Sequence, residues 1–363
     1  MTSEWGMPVA EVDTPALCID LPVLERNIAK MADFFAGRPA ALRPHVKTHK
    51  SPLLAHKQLD AGAIGVTCAK LGEAETMAHA GIRDILIANQ VVGERKIGRL
   101  VNLAAYTQVI AAVDAPTNVA QLDAAAQAKG VQLRIVLEVD IGMARCGVEP
   151  GEPAVELAHQ IAAAPGLSFE GIMGYEGHTV MIPSHEERKY ETESSLSLLL
   201  QTKDLIETAG LPVPIVSSGG TGTYDITGCY PGVTEVQVGS YSTMDAQYRD
   251  VVGVDFDCAL FVTAQVISTP RSGQAIIDAG LKTLTQDFGL PVVAQPDGWR
   301  LVALSEEHGK LEMADGPVLK AGDRVRILPN HGCTTINLHD WYLALRDGVV
   351  EGVWPIAARG KVR

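Results

Sequence analysis

The chain has 363 residues, 47% of them hydrophobic and 20% charged, with a formal net charge of −13. That balance belongs to a folded globular protein rather than a disordered one, and the acidic excess argues against nucleic acid or an anionic membrane as a partner. No apolar run is long enough to cross a bilayer, and residues 1–12 carry two acids and no basic residue, unlike a signal or transit peptide.

A short β-rich run at 16–20 comes first and could join either of two units. From about residue 40, strand-like runs at 42–46, 64–68, 84–88, 107–113, 132–139, 169–175, 213–218 and 235–238 alternate with helical stretches. Among the helical stretches are 73–80, 115–129, 154–164 and 186–209. Gly62, Gly81, Gly130 and Gly210 stand where a left-handed cap would end a helix before the next strand. Eight such units predict an α/β fold, a (β/α)8 TIM barrel, with an open doubly wound sheet as the alternative.

Past residue 255 the helices stop. Runs at 260–268, 274–278, 300–304, 324–328, 342–345 and 349–354, with turn signals at 270–273, 296–298, 314–316 and 347–348, predict a C-terminal all-β domain. The expected division is a barrel over 20–255 and a β domain made of 1–19 and 256–363. Six cysteines, at 18, 68, 146, 229, 258 and 333, form no CxxC pair, so reduced thiols and a cytoplasmic location are expected.

In a barrel, chemistry gathers at the carboxyl ends of the strands. Lys47 follows the first of them, in Arg-Pro-His-Val-Lys; a lysine there can be desolvated and flanked by cations, which frees its amine to form an imine with an aldehyde. On spacing alone a solvated lysine in a basic loop is by far the commoner reading. Ser217-Ser-Gly-Gly-Thr-Gly222 and Gly239-Ser-Tyr241 follow later strands, where glycines let backbone amides approach a phosphate, although simple tight turns look the same. Arg145 ends another strand and can donate to a phenolate or a carboxylate. His331 and Cys333, two apart, would share a face of an extended strand, and imidazole with thiolate suits zinc, although two such residues alone are more often structural than metallated.

Taken together, these stretches resemble the D-threonine aldolase and D-serine dehydratase family, fold-type III pyridoxal-phosphate enzymes with an alanine-racemase-like barrel. The likeness runs through Val-Asp-Thr-Pro-Ala-Leu at 12–17, Arg-Pro-His-Val-Lys at 43–47 and Glu-Val-Asp-Ile-Gly-Met-Ala-Arg-Cys-Gly-Val at 138–148. It continues in Gly-Gly-Thr-Gly at 219–222, Gly-Ser-Tyr at 239–241 and Asp-Ala-Gly-Leu-Lys at 278–282, and ends in Asn-Leu-His-Asp-Trp-Tyr at 337–342 and Val-Trp-Pro-Ile-Ala-Ala-Arg-Gly at 353–360.

The resemblance implies that Lys47 holds pyridoxal 5'-phosphate as a Schiff base and that Arg145 faces its phenolic oxygen. Tyr175 and Ser218 are expected beside the cofactor, with Gly219, Gly220, Thr221, Gly239 and Ser240 or Tyr241 on the phosphate and Gln237 near the pyridine nitrogen. A glutamine there leaves the ring a weak electron sink, which is a physical reason for a metal. His331 and Cys333 are implied to bind a divalent cation (Zn, Mn or Mg) that ligates the substrate's β-hydroxyl. Cys333 resembles the dehydratases, where the aldolases carry aspartate, whereas the carboxy-terminal stretch from 337 to 360 resembles the aldolases. Glu176 stands where an aldolase carries a histidine thought to act as base, with His178 nearby; either could accept a proton.

The expected activity is aldol cleavage of a D-β-hydroxy amino acid to glycine and an aldehyde. The alternative is D-serine-type elimination to a 2-oxo acid and ammonia; an amino-acid racemase or a non-catalytic cofactor carrier rank below both. A homodimer is implied by the family alone.

Overall fold

The computed structural model describes residues 4–363, so the part of the expected β domain at residues 1–3 lies outside the described residues. The chain forms two compact units. One holds the chain up to Lys30, Thr48–Ser51 and Ser240–Arg359; the other holds Met31–Lys47, Pro52–Gly239 and Gly360–Arg363.

After strand β1 (Ala16–Asp20) and helix α1 (Leu21–Phe35), the chain alternates strand and helix. The order is β2 (Ala41–Leu42), α2 (Pro52–Asp60), β3 (Val66–Cys68), α3 (Leu71–His79), β4 (Asp84–Gln90), α4 (Glu94–Ala104), β5 (Gln108–Val113) and α5 (Pro116–Lys129). It continues with β6 (Leu133–Glu138), α6 (Glu152–Ala163), β7 (Leu167–Met173), α7 (His185–Thr208), β8 (Ile215–Ser218), α8 (Tyr224–Thr227) and β9 (Glu235–Val236). All eight expected barrel strands occur. They pair in parallel in the order β2-β9-β8-β7-β6-β5-β4-β3.

The two ends of that order are tied together. A parallel bridge joins His45 to Thr67; the Val46 amide donates to the Thr67 carbonyl and the Thr67 amide to the Pro44 carbonyl, both at 2.8 Å. The strand expected at 42–46 is therefore only two residues of ladder followed by a bridged, irregular stretch, because Pro44 has no amide to donate.

Strands buried on both faces need apolar side chains on both, and Leu86, Ile110, Ala112, Val136 and Met173 supply one such layer from four adjacent strands. Between β6 and β7 the register shifts by one residue at Gly171. Its φ is +140°, and a Cβ there would sit 2.1 Å from the Ile215 carbonyl oxygen, so only glycine fits this bulge. Gly130, at φ 72° and ψ 34°, is the left-handed cap of α5 that its position predicted.

The unit that holds Ser240–Arg359 carries a sheet of nine strands. These are β1 with β10 (Leu260–Ser268), β11 (Gln274–Ile277), β12 (Val292–Gln295), β13 (Trp299–Leu304), β14 (Gly309–Met313), β15 (Arg324–Leu328), β16 (Trp341–Arg346) and β17 (Val349–Pro355). β1 lies antiparallel to β10 and parallel to β16, which decides the membership the sequence left open. Val12, Cys18, Phe261, Leu328, Leu343 and Val350 pack beneath it. Two strands, β12 and β14, and two helices, α1 and the short α9 (Gly332–Ile336), were not expected from the sequence. Among the described residues no helix is long and apolar enough to cross a membrane, and all six cysteines are free.

Candidate active site

Three of the expected cofactor residues meet at one aromatic ring. The Lys47 Nζ lies 5.9 Å from the centroid of Tyr175, and the guanidinium carbon of Arg145 lies 5.8 Å from the same centroid. Cations are drawn to the π face of an aromatic ring, so Tyr175 draws both groups to one place. Arg145 is aimed there by a turn built on Asp140, whose Oδ1 accepts the amides of Gly142 (3.0 Å) and Ala144 (3.1 Å). Ala144 takes a φ of 51° in that turn.

The Tyr175 ring also borders the glycine loop that follows β8. A Cβ on Gly220 would fall 3.1 Å from the Tyr175 hydroxyl, one on Gly219 would strike Val236 at 2.4 Å, and one on Gly222 would meet the Val180 carbonyl oxygen at 2.1 Å. The loop is thus glycine because its backbone is pressed from several sides. Its amides do not all face outward as expected. The Gly219 amide donates to Glu176 Oε2 at 3.1 Å, and the Gly220 amide to Thr223 Oγ1 at 3.2 Å. Those two residues contribute their missing side chains rather than their N–H groups. The following helix, α8, is a single turn, so backbone amides rather than a helix dipole must hold an anion here.

The expectation that Glu176 could act as base is corrected. Its carboxylate is fully buried. Oε2 accepts from Ser218 Oγ (2.7 Å) and the Gly219 amide, while Oε1 accepts from Thr223 Oγ1 and Thr227 Oγ1, both at 2.7 Å. Four donors fill the four acceptor positions of a carboxylate, and no lone pair is left for a substrate proton. His178 is exposed instead, with Nε2 3.4 Å from Ser195 Oγ on α7. Gln237 donates through Nε2 to Ser217 Oγ at 2.7 Å, which fixes its amide. Thr221 is buried. Gly239 precedes a short 3-10 turn, Ser240–Ser242, in which Tyr241 is fully buried edge-on to Phe256.

Glu138, at the end of β6, was not singled out by the sequence. It is buried and accepts from Gln90 Nε2 at 2.5 Å; burial pushes its carboxyl above the usual range, against the opposing pull of Gln90 and Arg145.

In the unit that holds Ser240–Arg359, His331 and Cys333 come together by a route other than the one expected. They do not share a strand face: His331 is the extended residue capping α9, and Cys333 sits in the helix's first turn. The His331 Nδ1 lies 2.5 Å from Asp287 Oδ2, and its ring stacks on Phe288 with centroids 4.3 Å apart. Burial pulls the imidazole pKa down, but the neighbouring Cys333 thiol and Asp287 carboxylate outweigh it and hold it up at about 9. Cys333 Sγ lies 3.5 Å from the hydroxyl of Thr48, the residue after Lys47 in the chain. Among the described residues no group of three or more His, Cys, Asp or Glu side chains is arranged to hold a metal. The pair nevertheless fits one. With Nδ1 engaged by Asp287, Nε2 is left to coordinate, as in metal-bound histidines generally, and the thiolate beside it favours zinc. Asp287 lies 44 residues before His331 in a segment without strand or helix, and nothing in the sequence pointed to it.

Comparison with known proteins agrees with this arrangement. Residues 19–247 match the alanine racemase N-terminal domain and residues 259–345 the putative serine dehydratase domain. The chain is 41% identical to a 3-hydroxy-D-aspartate aldolase of Paracoccus denitrificans (strain Pd 1222), over 98% of this chain and 94% of that one. It superposes on the D-threonine aldolase of Filomicrobium marinum with a TM-score of 0.97, at 39% identity and with all of both chains covered. It also matches the D-threo-3-hydroxyaspartate dehydratase of Delftia sp. HT23, with a TM-score of 0.89 and 32% identity over 96% and 98% of the chains. A D-threo-3-hydroxyaspartate dehydratase has also been solved with a histidine replaced by alanine and with a cysteine two positions further on replaced by alanine, the latter in a metal-free form; both match this chain at 30% identity.

Proposed function

The chain belongs to the D-threonine and 3-hydroxy-D-aspartate aldolase family of fold-type III pyridoxal-phosphate enzymes, and we propose that it cleaves D-β-hydroxy amino acids to glycine and an aldehyde. The observation that carries this reading is the convergence of Lys47, Arg145 and the glycine loop on Tyr175, in a chain nearer to the aldolases than to the dehydratase.

Pyridoxal phosphate, when bound, supplies the electron sink for breaking Cα–Cβ, and a divalent cation supplies a Lewis acid for the β-hydroxyl. The chain's own residues do the rest. Lys47 offers the amine that holds the aldehyde. Arg145 presents a planar, permanently charged donor to the phenolate oxygen. The glycine loop and the Gly239–Tyr241 turn hold the phosphate. Gln237, fixed by Ser217, accompanies the ring nitrogen without protonating it, which places the burden of activation on the metal. His331 and Cys333 hold that metal, and their softness makes zinc the preferred ion, ahead of manganese or magnesium. With Glu176 occupied, His178 is the group that takes the β-hydroxyl proton; the Cα–Cβ electrons pass to Cα, which is reprotonated to give glycine.

A second reading has an observation of its own. The spacing of His331 and Cys333 equals that of the histidine and cysteine replaced in the D-threo-3-hydroxyaspartate dehydratase variants, and a thiolate-bound metal can equally make the hydroxyl a leaving group. Incubation with D-threonine, D-serine and 3-hydroxy-D-aspartate separates the two. Glycine with an aldehyde supports cleavage, whereas ammonia with a 2-oxo acid supports elimination and defeats the first reading. As family resemblance implies, a homodimer is the proposed working form, and six free thiols suit a reducing, cytoplasmic compartment.

A further inference from the structure

Glu176 is a buried carboxylate that the reaction does not use, yet it takes hydrogen bonds from four residues of one ten-residue stretch: Ser218, Gly219, Thr223 and Thr227. Burying a carboxylate is costly unless its oxygens are filled. Here the donors come from the loop that the proposed function assigns to a phosphate and from the two elements that bracket it, the end of β8 and the helix α8. We infer that Glu176 is a positioning residue that selects for a phosphorylated ligand, by fixing this loop from below so that the amides beyond Gly220 face the ligand.

The tie extends further than its direct contacts. By accepting the hydroxyl proton of Thr223, Glu176 leaves that oxygen's lone pairs for the Gly220 amide. The first two glycine amides are thereby consumed inside the protein. A phosphate must be met by the amides that follow, and that of Gly222 has no acceptor among the described residues. Gly222 is itself held against the Val180 carbonyl where no Cβ fits, so the loop has little freedom once both sides are fixed. A glutamine at 176 would keep one acceptor oxygen and set an NH2 group against two donors. That change is nearly isosteric and acts on the loop alone.

This inference rests on reading the loop as a phosphate site, and one titration tests each separately. The full chain, freed of cofactor by dialysis against hydroxylamine, is titrated with pyridoxal phosphate and with pyridoxal, the same aldehyde without the phosphate. The wild-type protein is expected to prefer the phosphorylated form. In Glu176→Gln that preference falls about tenfold or more, the size of one lost hydrogen bond to a charged group, while pyridoxal binding is kept. Equal binding of both aldehydes by the wild type would overturn the phosphate reading itself. A wild-type preference that survives unchanged in Glu176→Gln, or an equal loss for both aldehydes, overturns the inference and leaves that reading in place. Should Glu176→Gln not fold, Thr227→Val removes a single donor and is judged by the same ratio.

Discussion

Asp287 Oδ2 lies 2.5 Å from His331 Nδ1. In the proposed metal site that contact would fix the tautomer of the imidazole and raise its basicity as a ligand, giving Asp287 a part there without touching the metal. Replacing it with asparagine should weaken zinc binding by about 10- to 100-fold, as loss of such a partner does elsewhere. Competition with a chromogenic chelator reads this directly. An unchanged zinc affinity in Asp287→Asn would show that the pair does not bind metal through Nε2.

A second buried charge cluster closes the barrel rather than serving the site. Arg43 is held by Glu235 at 2.9 Å and by Asp84, and only 4% of its side chain is exposed. Removing one partner of a buried pair strands the other charge, at a cost of about 3–5 kcal/mol. Because Asp84 remains, Glu235→Ala should fall near the lower end of that range in urea unfolding. Adding Arg43→Met should restore part of the loss; a double variant less stable than Glu235→Ala would contradict this.

Glu138 gives the protein a pH dependence of definite sign. Its folded-state pKa is raised by burial, so its favourable contribution is full below the unfolded value of about 4.3 and is lost as pH rises through the higher folded value. Glu138→Gln removes that loss. The variant should exceed the wild type in stability above neutral pH and converge on it under acid conditions, as read from urea midpoints across the range. A gap that widens toward low pH would reverse the assignment.

The cysteines should separate by reactivity. Burial pushes the Cys18 thiol up to about 12 and the Cys258 thiol up to about 11, and Cys68 is buried. Cys146 and Cys229 are exposed. Iodoacetamide at about pH 8 should therefore label Cys229 first and Cys146 more slowly, since partial burial and the nearby Glu138 and Asp114 push the Cys146 thiol up, and should spare Cys18, Cys68 and Cys258. Peptide mapping after a short exposure checks it, and early labelling of Cys18 would mean the β sheet opens locally.

The strand ends were legible because a parallel barrel strand announces itself by a short apolar run, and whatever polar residue follows it must lie at the mouth. Lys47, Arg145 and Tyr175 each stand just after such a run. Glu176 follows β7 as the strand-end rule expects, but a residue type cannot reveal that four donors from 218–227 fill its carboxylate and leave no lone pair for a substrate proton. Cys333 was joined to His331 for a strand that turned out to be a helical turn; residues two apart can meet in either geometry. Asp287 and Glu138 were missed because their partners are distant in sequence. β14, in Gly-Lys-Leu-Glu-Met, alternates too briefly to be told from a turn.

The most direct test of the account is to find which lysine carries the cofactor. Protein reconstituted with pyridoxal phosphate is reduced with borohydride, digested, and its peptides are sequenced by mass spectrometry. The account predicts a phosphopyridoxyl group on Lys47, absent in Lys47→Ala, whose fold by circular dichroism is unchanged. Stable modification of a different lysine, with Lys47 unmodified, would contradict it.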